Sequence, residues 1–131
     1  MLKLILKYLL VEYFLSVVLG IIATIIIYHP NPNTHDGGQQ ILILIVATFY
    51  TNLLLTFSAL TILLNTFISF RSSWLNRVTS FYLLPVSFSI FFIFILFNET
   101  YFVATVCCFF LVHSYIFYRF NKHIRNKIEQ K

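Results

Sequence analysis

The sequence predicts an all-α integral membrane protein, a four-transmembrane-helix bundle with both termini on the cytoplasmic side, and three observations predict it. The 131-residue chain is 60% hydrophobic and 10% charged, against roughly 45–50% apolar and 25% charged in soluble domains. Its apolar residues gather into four runs near residues 8–28, 41–70, 78–97 and 101–120. Each reaches the roughly 20 residues that a helix needs to cross a hydrocarbon core of about 30 Å. All nine Lys and Arg residues fall at alternate connections: Lys3 and Lys7 before the first run, Arg71 and Arg77 between the second and third, and Arg119, Lys122, Arg125, Lys127 and Lys131 after the fourth. The other two connections carry only acids, Asp36 and Glu99, so the positive-inside rule assigns N-in, C-in. A single membrane domain over 1–131 follows, helical throughout because lipid leaves no partner for unpaired backbone groups.

The first run is too long for a signal-peptide core and no small-x-small cleavage site follows it, so it is expected to stay in the membrane. Glu12, Ser16 and Gly20 recur every four residues, continued by Ala23 and Thr24, while Leu10, Phe14, Val18, Ile21 and Ile25 cover the opposite side. Small and polar residues mark packed faces in lipid, so the narrow stripe should meet another helix. The Pro- and Gly-rich stretch 29–40 then ends the helix.

In the second run, small and polar residues from Ala47 and Thr48 through Asn52 and Ser58 to Asn65 and Ser69 cover about half the circumference. Phe49, Leu53, Phe57, Leu60, Leu64 and Phe67 face away. Asn52 and Asn65 would be expensive toward lipid and are placed in the bundle. The run is long enough to project a turn or two beyond the bilayer.

Pro85 interrupts the third run, removing one backbone bond and kinking the helix, with Ser80, Ser87 and Ser89 near enough to satisfy freed groups. The connection at residues 98–100 is so tight that the third and fourth helices should form an antiparallel hairpin. Along the fourth, Ala104, Thr105, Cys108 and Tyr115 group on one side, leaving Phe102, Phe109, Phe110 and Phe117 on the other, with His113 among them. His113 is expected as a boundary-snorkelling or interhelical histidine, and the alternative is that Phe102, Phe109, His113 and Phe117 form a contact face for another membrane protein. In the basic tail 121–131, Ile124 and Ile128 continue a four-residue spacing from Phe120, as an interfacial helix with a basic outer face would. Anionic lipid is its expected partner.

Glu12 is the only acid within a predicted span, and an intramembrane ionisable residue is a functional candidate by default. Alternating chain direction brings Asn65, Ser69, Ser80, Tyr115 and the arginines at 71, 77 and 119 to the same depth. This cytoplasm-proximal polar layer either satisfies Glu12 structurally or couples it to protons or cations. His113 has no Cys, His or carboxylate at ligand spacing, and His29, His35 and Asp36 form no recognised metal frame, so no metal or cofactor is expected. Cys107 and Cys108 are adjacent, where a bridge would be strained, and are expected as packed small hydrophobes. Topology accounts for the positive charge, so nucleic acid is not expected. The Asn98-Glu99-Thr100 acceptor pattern sits at the bilayer surface and is discounted. No span carries a nucleophile triad, a paired-carboxylate motif or a phosphate-binding Gly loop, so no catalysis is expected.

Four short spans with a glutamate in the first are similar in outline to the small multidrug transporters. That family is rich in Gly and Ala and carries a Trp within a span. This chain has three Gly and places Trp74 in a loop, so no family is assigned. The expected function is non-catalytic, through helix–helix contacts with a membrane partner or by self-association. An accessory subunit of a membrane complex and an immunity-type protein against a membrane-active toxin both fit, in a bacterial cytoplasmic (inner) membrane. An oligomeric transporter or channel using Glu12 is the alternative.

Overall fold

The computed structural model describes residues 1–28, 37–68, 72–96 and 100–129, and among them every regular element is helical. Helix α1 spans Leu2–Ile27 and α2 spans Gly37–Ser58. A 3-10 segment, Ala59–Thr66, continues α2 without a break. Helices α3, Trp74–Leu96, and α4, Thr100–Glu129, follow. Three stretches are long and apolar enough to cross a membrane: Leu2–Ile27, Gly38–Thr66 and Thr100–Asn126. The apolar end of the third expected span, from residue 92 onward, lies outside the side chains described.

Helix α1 packs most extensively on α4 and next on α2. It runs antiparallel to α4: Tyr8 meets the ring of Phe120, Glu12 meets His113, and Gly20 lies beside Thr105. The close approach is made at Gly20, where an added Cβ would come within 2.8 Å of Thr48 Cγ2 and 3.3 Å of Asn52 Nδ2. A glycine is required there because α2 and α4 both press against that turn of α1. One turn further on, the Thr24 and Thr48 hydroxyls meet at 3.2 Å, and each also reaches a carbonyl of its own helix, that of Gly20 at 2.8 Å and that of Leu44 at 2.9 Å.

The 3-10 segment sets the register where α2 meets α3. Buried residues on α2 fall at Thr48, Asn52, Leu55 and Ser58, close to the helical period, then at Ala59, Ile62 and Asn65, every third residue. A 3-10 helix turns once in three residues, so those last three share one face. An α-helix of about 3.6 residues per turn would have carried Asn65 roughly 120° off it. Tighter winding instead aims Asn65 at Ser80 of α3: Asn65 Nδ2 donates to Ser80 Oγ and to Ile62 O (3.1 Å), and Ser80 Oγ donates to Arg77 O (2.9 Å).

Helices α3 and α4 approach each other little along their backbones. Rings stand between them. Phe81 lies 4.9 Å from Phe117 and 5.2 Å from Phe120, and Tyr82 lies 5.5 Å from Phe117, centroid to centroid. Polar pairs tie the same flank: Tyr82 Oη donates to Ser114 Oγ at 3.1 Å and Arg77 Nε to Asn121 Oδ1 at 2.8 Å.

The fourth helix departs from expectation on three points. Phe102, Phe109 and His113 are buried inside the chain and Phe117 is half-buried, so they are not an outward contact face. Tyr115, expected inside, is 53% exposed. Finally, Phe120 and Ile124 join the core with Ile5 and Leu9 of α1, so these two residues of the expected stripe pack on protein and are not offered to the membrane surface, while the side chain of Ile128 lies outside those described. The physical reason is common to all three. The small residues of α1 leave room for the large rings of α4, so bulk on one helix is matched by its absence on the other.

Candidate functional site

The site begins with a missing hydrogen. Pro85 has no N–H, so the carbonyl four residues earlier, that of Phe81, loses its intrahelical donor. The nearby serines do not supply one: Ser80 donates to Arg77 O, Ser87 to Leu83 O and Ser89 to Pro85 O. His113 does, with Nε2 2.9 Å from Phe81 O. A carbonyl can only accept, so Nε2 carries the hydrogen.

The other ring nitrogen, Nδ1, lies 2.7 Å from Glu12 Oε1, and both side chains are 0% exposed. With Nε2–H committed to Phe81, a single proton lies between Nδ1 and Oε1. The pair is then either imidazolium beside carboxylate or imidazole accepting from a carboxyl group, and it is neutral overall in both forms. The ring is held by a stacked Phe109 at 5.4 Å and an edge-on Tyr82 at 5.0 Å. Three helices therefore meet at one imidazole: α1 through Glu12, α3 through Phe81 and α4 through His113 itself.

Of the residues singled out from sequence, Glu12, Ser16, Gly20, Asn52, Asn65 and Ser80 are all buried. Ser16 Oγ donates to Tyr13 O at 3.0 Å and Asn52 Nδ2 to Thr48 O at 2.9 Å. Four buried oxygens have no hydrogen-bond partner among the described residues: Glu12 Oε2, Asn52 Oδ1, Thr56 Oγ1 and Asn65 Oδ1. Cys107 is exposed, and Cys108 is half-buried with Sγ 3.8 Å from Leu19 O. Among the described residues no group of three or more His, Cys, Asp and Glu could hold a metal ion. His29, His35, Asp36, Ser69, Arg71 and Glu99 lie outside the described residues.

Sequence reasoning named Glu12 and His113 separately and missed that they are partners. The signal was present: they are the one acid and the one histidine within the predicted spans, and in lipid two such residues are cheapest when joined. Register carried the same information, since eight residues separate Glu12 from Gly20 and eight separate Thr105 from His113 on an antiparallel neighbour.

Helices long and apolar enough to span, packed around a buried polar centre, define a helical membrane protein. Within that class, no protein-family model matches the chain, and comparisons with curated proteins and with solved structures find no match.

Proposed function

We propose that the chain is a four-span, N-in/C-in membrane protein that acts without catalysis, through lateral helix contacts with a membrane partner. An accessory subunit of a membrane complex or an immunity-type protein against a membrane-active toxin would both work in this way. The observation that carries the reading is the closure of the Glu12–His113 pair. The ionisable groups at membrane depth neutralise each other, and their role is to hold α1, α3 and α4 together. The remaining lateral surface is a broad apolar face interrupted by exposed Tyr50 and Tyr115, which offer hydroxyl groups toward a neighbour. The α3–α4 contacts pair Arg77 with Asn121 and Tyr82 with Ser114, an order that supports an antiparallel hairpin.

The test is native purification after in-membrane crosslinking, with the neighbouring genes coexpressed. A defined heteromeric or self-associated species is expected, weakened by Tyr50→Ala or Tyr115→Ala. Recovery of a lone monomer under all these conditions would sink the proposal.

A second reading is favoured by the unpartnered oxygens of Glu12, Asn52, Thr56 and Asn65, on α1 and on α2 with its 3-10 extension. In an oligomeric transporter these oxygens would line a route and Glu12 would exchange its proton. Purified protein in liposomes should then move an ion or dye, and Glu12→Gln should stop transport while leaving the fold intact. Absence of flux at every pH tried removes this reading.

A further inference from the structure

A groove of about 850 Å³ lies where the start of α3 meets the last turns of α4. Two rows of side chains line it. Trp74 and Arg77 stand three apart on α3, while Tyr118, Lys122 and Arg125 stand four and three apart on α4, so each row occupies one helical face. Arg77, Lys122 and Arg125 make the described lining cationic, without a carboxylate among them. Arg77 is oriented from within the fold, because its Nε donates to Asn121 Oδ1, and Asn121 Nδ2 in turn donates to Phe117 O at 3.2 Å.

Depth bears on which anion such a lining would suit. Phe120 of α4 is level with Tyr8 of α1, at the start of the first predicted span, so a groove bordered by residues 117–126 straddles the boundary between hydrocarbon and water. Trp74 and Tyr118 are each 62% exposed there, in the place where amphipathic rings settle at headgroup level. The exposed Leu75 and Leu111 extend an apolar surface along the same two helices, which suits acyl chains and has no use for a soluble anion. Phe120 and Ile124 are turned into the core, so these two side chains are not what meets the membrane. Lys122 and Arg125 converge with Arg77 on a bounded space instead.

We propose that the groove between the start of α3 and the end of α4 binds the phosphate headgroup of an anionic phospholipid. Arg77, Lys122 and Arg125 surround the phosphate, and Trp74 and Tyr118 sit at the boundary between headgroup and acyl chains. The proposal rests on the membrane-spanning reading above and is independent of any protein partner.

Trp74 is the chain's single tryptophan, so its fluorescence reports on this groove alone. Purified protein is reconstituted in phosphatidylcholine vesicles that contain a small fraction of brominated lipid, either phosphatidylglycerol or phosphatidylcholine. Flotation with the vesicles comes first, and failure to float would overturn the membrane reading itself. Brominated phosphatidylglycerol is expected to quench Trp74 at lower mole fraction than brominated phosphatidylcholine. Lys122→Gln and Arg125→Gln, both exposed positions, should each reduce that preference by on the order of fivefold. Lys3→Gln and Lys7→Gln, exposed at the same end of the bundle, should leave it unchanged. Circular dichroism of each variant checks that the helices persist. Equal quenching by the two lipids overturns the proposal, as does a preference that survives loss of Lys122 and Arg125. A preference abolished by excess inorganic phosphate would reassign the groove to a soluble anion and overturn the lipid assignment.

Discussion

Removing the His113 side chain strips Glu12 Oε1 and the Phe81 carbonyl of their partners in one step, with both groups fully enclosed. Breaking a buried pair from one side costs about 3–5 kcal/mol, so His113→Ala should lose stability of that order in reversible unfolding from mixed micelles. Glu12→Gln is a different change. A glutamine amide can donate to Nδ1 while Nε2–H stays on Phe81, so the loss should be only about 1 kcal/mol. If Glu12→Gln proves as damaging as Glu12→Leu, the neutral, single-proton pair is wrong. Gly20 gives a second test at this scale. A methyl group there meets Thr48 Cγ2, on a β-branched side chain fixed by bonds to Leu44 and Thr24, so Gly20→Ala should cost about 1–3 kcal/mol from overpacking. Thr48→Ser keeps the hydroxyl and deletes the offending carbon, and the Gly20→Ala/Thr48→Ser pair should recover most of the loss. The burial of Glu12, Ser16 and Gly20 was legible because small and polar residues on a lipid-dissolved helix have one reasonable direction. The partners of His113 were not, because a helix wheel of α4 alone sets it among phenylalanines. Whether a ring faces lipid or protein depends on what the opposite helix leaves vacant.

Pro85 and His113 form a unit that spans two elements. The proline creates an orphan carbonyl on α3 and the imidazole on α4 satisfies it, so the two side chains should be coupled although they do not share a hydrogen bond with each other. Pro85→Ala restores the helical donor to Phe81, and in that background the loss of His113 should cost about 1 kcal/mol less, the worth of one hydrogen bond. A double-mutant cycle closing at zero would mean that the carbonyl finds another donor when His113 is absent. The same limit on reading elements one at a time applies to the second helix. Its length and apolar face, Phe49, Leu53, Phe57 and Leu64, could be read directly, but the change from α to 3-10 winding after Ser58 could not. Residues 59–66 have ordinary helical propensities. The tighter turn brings Asn65 to Ser80 across the bundle, a tertiary match that periodicity within one segment does not record.

At the scale of the whole molecule, the antiparallel packing of α1 on α4 brings residues 1–8 and 120–126 to one end. The tie between Tyr28 Oη and Gln40 Oε1, 2.6 Å, closes the other end of α1 against α2. The structure thus relates the ends to each other, and the nine Lys and Arg residues predict which end meets the cytoplasm, because cations resist translocation. Thiol labelling tests both at once. In a background with Cys107 and Cys108 replaced by Ala, single cysteines are placed by Lys3→Cys, Lys122→Cys and Asn33→Cys. An impermeant maleimide added to intact cells should label Asn33→Cys alone, and the other two should react only after permeabilisation. Labelling of Lys3→Cys and Lys122→Cys from opposite sides would contradict the packing of α1 against α4. Labelling of both from outside would keep that packing and invert the orientation, which would place the cationic groove on the outer leaflet. Charge has the stronger claim here: turning the chain over would require all nine cations to cross, whereas the expected orientation moves only the short acidic connections at Asp36 and Glu99.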